Sequence, residues 1–145
     1  MERLGWEIGE TSHALRRAFD RKAAALGVTR AQWRLLAHLS RAPGGRQVEL
    51  AERMDIEPIT LCRIVDRLAE SDLVERRRDP ADRRAWQLFL TSKAEPLVKR
   101  LHGLADELSD DAFAGLDDAE LTTVRAALAR IRSNLSSAPK GRVTA

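Results

Sequence analysis

IEPITLCRIVDRLAESDLVERRRDPADRRAWQLFL, running from Ile56 to Leu90, decides how this chain is read. It gives a short amphipathic helix, a strand, a tight charged loop and a second strand. Pro58 suits an early helical position, where its missing N–H costs little. Leu61, Ile64, Val65 and Leu68 recur at the spacing of one buried helical stripe. Thr60, Arg63 and Arg67 fall at offsets of three and four and make a second, polar face. Arg matches guanine bidentately and Thr is adaptable, so this face suits base edges and phosphates. The plain alternative is a solvated face with two surface arginines.

The hairpin shifts the balance toward nucleic acid. Leu73–Arg78 reads as a strand, and Asp79-Pro80-Ala81-Asp82 is turn chemistry, with Pro fixing φ and Asp bonding its own backbone. Arg83 and Arg84 lead into Ala85–Leu90, where Trp86, Leu88 and Leu90 alternate with polar Gln87. Phe89 breaks the alternation and must pack locally or against a neighbour. A hairpin tipped with Arg can insert a guanidinium into a narrow, electronegative minor groove. Asp82, two residues before Arg84, is expected to hold that fork in one orientation. The alternative is an edge hairpin whose charges guard it against aggregation.

Asp79-Pro80-x-Asp82-x-Arg84, with Leu90-Thr91 closing the second strand, resembles the wing signature of MarR-type winged helix-turn-helix regulators. Ile56-Glu57 through Leu68, and the run Leu90–Leu97, resemble the SlyA-type branch. The resemblance covers the chain from about Leu4 to Leu135; the wing motif is specific and the rest is pattern. It implies a mainly α fold with a small β-hairpin wing, in which a winged helix-turn-helix core is flanked by N- and C-terminal dimerisation helices. The implied partners are double-stranded DNA and a second copy of the chain. Pro58, Thr60, Leu61 and Arg63 would face the major groove, and Asp82, Arg83 and Arg84 would serve the wing. Arg67, Arg76, Arg77 and Arg78 would contact phosphates. Leu61 is in tension, since the helical stripe buries it while the resemblance puts it near DNA.

Composition agrees with a helical, nucleic-acid-facing chain. Its 145 residues suit one modest domain or two small intertwined ones. Hydrophobic residues make up 43% but aromatics only 4%, so the core must be rich in Leu, Ala and Val. Net charge is +3, and the five arginines and two aspartates of Arg76–Arg84 carry that same excess locally. The positive field is therefore focused on one loop. The single cysteine, Cys62, precludes a disulfide within the chain and points to a reducing cytoplasm. Glu2, Arg3 and Glu7 break any signal-peptide pattern, and no run of about 18 apolar residues offers a membrane span.

Around the quoted stretch, Leu4, Ile8, Leu15, Phe19, Ala23 and Leu26 give a long first helix ending near Gly27. Trp6 points away from that stripe and suits a partner surface. Residues 1–28 are thus expected to serve dimerisation. Thr29-Arg30-Ala31-Gln32 is a capping box for a second helix, with Trp33, Leu36, Ala37 and Leu39 with Ser40 as its apolar face. Pro43-Gly44-Gly45 ends it. Val48, Leu50, Ala51 and Met54 mark a third helix, which forms a helix-turn-helix with Pro58–Asp72 although no Gly occupies the turn. The DNA-binding domain is expected over 29–91.

Ser92-Lys93-Ala94-Glu95 reads as another capping box, followed by a helix carrying Leu97, Leu101, Leu104 and Leu108. Phe113-Ala114-Gly115 breaks it. Asp117, Asp118 and Glu120 favour the start of a last helix, whose Leu121, Val124, Leu128, Ile131 and Leu135 repeat like a coiled-coil seam. Residues 92–135 are expected to dimerise and 136–145 to form a disordered tail. A symmetric dimer would set two reading helices into successive major grooves roughly 10 bp apart, on a near-palindromic operator.

No catalytic constellation, cofactor motif or metal site is expected; His13, His38 and His102 fall on different helices, away from Cys62. Cys62 reads as a small semi-buried packing residue. Arg17, Trp33 and His38 form a candidate site for a small aromatic acid, because the resemblance brings regulators that respond to phenolic acids. The alternative makes Trp33 core, His38 a surface group near a helix end and Arg17 solvated. Two other functions compete with DNA reading. One is a winged-helix protein-interaction module without DNA specificity; the other is a small helical enzyme or ligand carrier.

Overall fold

The computed structural model describes residues 2–137. They form α1 (Glu2–Ala24), α2 (Arg30–Arg41), α3 (Gln47–Met54), α4 (Pro58–Glu70), β1 (Val74–Arg78), β2 (Trp86–Leu90), a 3-10 turn at Ser92–Ala94, α5 (Glu95–Ala112) and α6 (Asp118–Ser137). The chain divides into two units, with the boundary after Ser109.

In the first unit, α2 is central and touches α1, α3, α4 and β2. Its capping box forms as expected. The Gln32 amide donates to Thr29 Oγ1 at 3.3 Å, and the Thr29 amide donates to Gln32 Oε1 at 3.1 Å. Its buried face is wider than expected: Leu35, Leu36 and Leu39 are fully buried, while Trp33, Ala37 and Ser40 are half-buried. A helix packed on several sides needs a broad apolar arc, and Leu35 completes it. These leucines join Phe19, Leu50, Met54, Leu61, Val65 and Leu88 in one core. Truncating such a Leu to Ala costs about 2–5 kcal/mol.

Three helix ends close by one device. After α1, the Val28 amide returns to the Ala23 carbonyl and the Gly27 amide to Ala24, with Gly27 at φ 74°. After α3, Ile56 returns to Ala51 and Asp55 to Glu52, with Asp55 at φ 53°. After α4, Leu73 returns to Leu68 and Asp72 to Ala69, with Asp72 at φ 58°. This paired closure requires a left-handed residue, ordinarily Gly. Asp tolerates that conformation better than most side chains. The helix-turn-helix thus turns without glycine because Asp55 takes the role.

β1 and β2 pair antiparallel, with Val74 opposite Leu90, Arg76 opposite Leu88 and Arg78 opposite Trp86. The loop before α3 flanks β2 on its other edge: the Gly44 amide donates to Leu88, and the Leu88 amide donates to Gly45, both at 3.0 Å. Phe89, which broke the alternation, lies over Gly44. A Cβ on Gly44 would sit 3.0 Å from the Phe89 ring, and Gly44 also holds φ +80°.

Two expectations fail here. Ser92–Glu95 makes no capping box; Thr91 precedes a 3-10 turn without a side-chain cap. Its hydroxyl donates instead to the Asp72 carbonyl, and the Thr91 amide donates to Leu73 at 3.1 Å, tying the end of β2 to the end of α4. Val48, assigned to the apolar side of α3, is 70% exposed.

In the second unit, Asp117 and Glu120 exchange side-chain-to-amide bonds at 2.8 and 2.9 Å, a full capping box at the start of α6. No residue of α6 is buried, and Val124, Ile131 and Leu135 of its seam are exposed. Ser136 and Ser137, read as tail, close α6; residues 138–145 of that tail lie outside the described residues. Among the described residues, no helix is long and apolar enough to cross a membrane.

Candidate nucleic-acid interface

α4 sorts its residues by periodicity. Leu61, Val65 and Leu68 face the core, and Pro58, Thr60, Arg63 and Arg67 are exposed. Leu61 is 0% exposed, so its assignment to the major groove is corrected: the apolar stripe governs it and it has no surface to offer a base. Among the described residues, Arg63 and Arg67 make no ion pair, so their donors point outward uncommitted. Ile59 is 62% exposed on the same outward side.

The hairpin places its tip on a buried carboxylate. Asp79 is 5% exposed. Its carboxylate accepts from the Ala81 amide at 2.8 Å and from Arg46 Nε at 2.7 Å. The Asp79 amide donates to the Ala85 carbonyl at 3.1 Å, which closes the loop. The Ala81 amide holds this carboxyl below its ordinary range; partial loss of hydration opposes the shift and Arg46 adds to it. Arg46 stands just before α3, so the Asp79 pair ties the loop end of the hairpin to the start of α3.

Asp82 plays a different part from the one expected. Its carboxylate accepts the Arg84 backbone amide at 3.0 Å, so it shapes the turn and does not grip the Arg84 guanidinium. Arg83 and Arg84 are exposed at the tip. Arg78 donates to the Arg83 carbonyl at 2.6 Å and lies 4.5 Å over the Trp86 ring. Arg77 lies 4.2 Å over Phe89 and pairs with Glu75, yet its side chain stays 58% exposed. Both arginines lie against aromatic faces, a cation–π arrangement, and both are exposed.

Arg76 is the main correction. Period-two alternation puts it on the inner face with Val74, opposite Leu88. Its guanidinium donates to Gln47 Oε1 at 3.1 Å and to the Cys62 carbonyl at 3.2 Å, and pairs with Asp66 at 2.7 Å. With its side chain 22% exposed, it joins α3, α4 and β1 rather than reaching for phosphate. Cys62 is half-buried beneath it, as expected of a packing residue.

The proposed effector residues do not converge. The Trp33 ring meets Phe19 edge-on at 4.6 Å, and its Nε1 donates to Asp20 at 2.9 Å. Asp20 also pairs with Arg30, whose hydrogen bond is the chief cause of its lowered pKa. Arg17 is exposed on α1, beside an open hollow lined by His13, Arg21 and Arg30. His38 belongs to another neighbourhood; partial burial, then Arg34, Arg53 and Arg41, lower its pKa. Trp33 is spent on structure, which is the alternative the residue types offered. No group of three or more His, Cys, Asp or Glu among the described residues is placed to hold a metal.

Arg46, Gln47 and Asp79 as wing braces, and Ile59 as an outward apolar group, escaped the sequence reading. Only Ile59 left a local signal, as an apolar residue off the stripe.

The sequence profile of the MarR family matches residues 26–85. Among solved structures, the chain is similar to the transcriptional regulator PA3341, with 34% identity and a TM-score of 0.85, over 93% of this chain and 99% of that one. It is similar to the transcriptional regulator SlyA, with 25% identity and a TM-score of 0.78, over 92% and 94%. A mutant MarR from E. coli complexed with operator DNA gives 26% identity and a TM-score of 0.76, over 88% and 92%.

Proposed function

This chain belongs to the MarR family of transcription regulators, and from that premise we propose that it binds operator DNA as a homodimer through α4 and the wing. One observation carries the reading. Arg63, Arg67, Arg83 and Arg84 are exposed on α4 and the wing tip. Four nearby carboxylates are taken up: Asp66 by Arg76, Asp79 by Arg46, Glu75 by Arg77 and Asp82 by the Arg84 amide, which leaves exposed Glu57 and Glu70 at the two ends of α4 against these four arginines. The outward surface therefore keeps its positive charge while the inward surface holds it in shape. Thr60 and Arg63 are the base-reading candidates, and Arg67, Arg77, Arg78, Arg83 and Arg84 the phosphate and minor-groove candidates.

The dimer is supported by unpartnered apolar surface. α1 leaves Leu4 58% and Trp6 71% exposed, and α6 leaves Leu135 73% exposed. A second copy covers the same patch on both subunits, and its two-fold axis supplies near-palindromic half-sites. The site of action is the cytoplasm, where DNA is met and Cys62 stays reduced. The resemblance also brings a small aromatic acid as modulator, for whose carboxylate Arg17 remains an exposed cation.

Selection of bound duplexes from random fragments, followed by titration at several salt concentrations, tests this. Affinity should fall steeply, with a log–log slope beyond about −3, because each neutralised phosphate contributes about −0.9. A protein-interaction module would yield no enriched sequence and a flat slope.

A further inference from the structure

Ile59 stands where an apolar residue has no structural use. The buried stripe of α4 is Leu61, Val65 and Leu68. At 3.6 residues per turn, Ile59 lies on the opposite side of the helix, in the middle of the outward face. It is 62% exposed, and Pro58, Thr60 and Arg63 beside it are exposed as well. A lone exposed apolar side chain is ordinary on a surface. This one occupies the centre of the face that meets base edges if α4 reads DNA. Within the major groove one apolar group is on offer, the 5-methyl of thymine. A β-branched side chain in a helix keeps essentially one χ1 rotamer, so Ile59 presents its methyls in a fixed direction.

Resting on the DNA reading above, we propose that Ile59 is a specificity-determining residue that recognises a thymine methyl in each half-site. Arg63 stands one turn further along the same face. Four residues rise about 6 Å along a helix, against about 3.4 Å per base step, so the thymine should lie within roughly two base pairs of a guanine met by Arg63.

The probe is the strongest duplex that the full-length wild-type chain selects from random fragments. Each thymine is replaced in turn by deoxyuracil, which removes one methyl and nothing else. One thymine per half-site should matter, weakening wild-type binding about fourfold, the worth of one buried methyl group. Ile59→Ala should bind the methylated and demethylated duplexes equally. Arg63→Ala should keep the methyl dependence and lose preference at a base pair within two positions of that thymine. Circular dichroism melting checks that both variants stay folded, as substitution at an exposed site should allow. The inference is overturned if no thymine methyl affects the wild type, or if Ile59→Ala keeps the fourfold loss. A wild-type chain that binds no duplex sinks the DNA reading and this inference with it, whereas methyl-insensitive binding sinks this inference alone.

Discussion

Arg76 of β1 meets Asp66 of α4 at 2.7 Å, and the same guanidinium donates to Gln47 at the start of α3. One side chain thus fixes the angle between the reading helix and the wing. Arg76→Ala should destabilise the fold by about 1–2 kcal/mol, because its guanidinium holds three partners but Asp66 is 52% exposed and that pair is screened. It should weaken operator binding while leaving the salt slope unchanged, since no phosphate contact is lost. Urea unfolding and salt titration of the same variant check both halves. A slope reduced by about two units, one for each subunit of the dimer, would return Arg76 to the phosphate-binding set.

Asp79 makes the wing sensitive to acid. Its carboxyl is held below its ordinary value, chiefly by the Ala81 amide and then by Arg46. The ionised form is the one the fold favours. Its contribution is therefore complete above the unfolded value, about 3.9, and is lost as pH falls through the lower folded value. Asp79→Asn should be less stable than wild type at neutral pH, and the gap should close below about pH 4. Chemical denaturation from pH 7 to pH 3 measures this. A gap independent of pH would show that the charge on Asp79 does not matter.

Asp55 carries the turn of the helix-turn-helix at φ 53°, ψ 48°. Asp55→Ala should be less stable than Asp55→Gly by about 1–2 kcal/mol, the penalty for an ordinary Cβ in the left-handed region, with wild type between them because Asp tolerates that region better than Ala. Asp55→Gly should be no less stable than wild type, because Gly adopts this conformation freely. Thermal unfolding of the two variants compares them directly. Equal losses in both would mean that the Asp side chain, not the backbone, holds the turn.

Much of this architecture was legible in the sequence, because α4 and β2 state their burial through local periodicity. Leu61, Val65 and Leu68 are buried where the stripe put them. The Asp79–Asp82 segment forms the turn its residues announced. Arg76, Arg77 and Arg78 were read as one basic cluster, although strand alternation sends Arg76 inward with Val74. The Arg46–Asp79 pair spans 33 residues, so no local pattern could show it. Leu61 was assigned both to the core and to the groove; a stripe that closes a core leaves no such choice. Arg17, Trp33 and His38 are joined only by residue chemistry and the resemblance, and packing of α1 on α2 claims Trp33 through Phe19 and Asp20.

The central claim is that the exposed arginines of the wing tip face DNA while the ion-paired Arg46 and Arg76 hold the wing. Salt titration of operator binding by the Arg83→Ala/Arg84→Ala double variant tests it most directly. The wild-type log–log slope should be steep, and the double variant, which removes two contacts from each subunit of the dimer, should lose about three to four units of it with its unfolding midpoint unchanged. A wild-type slope near zero, or the same slope in both proteins, would contradict the account.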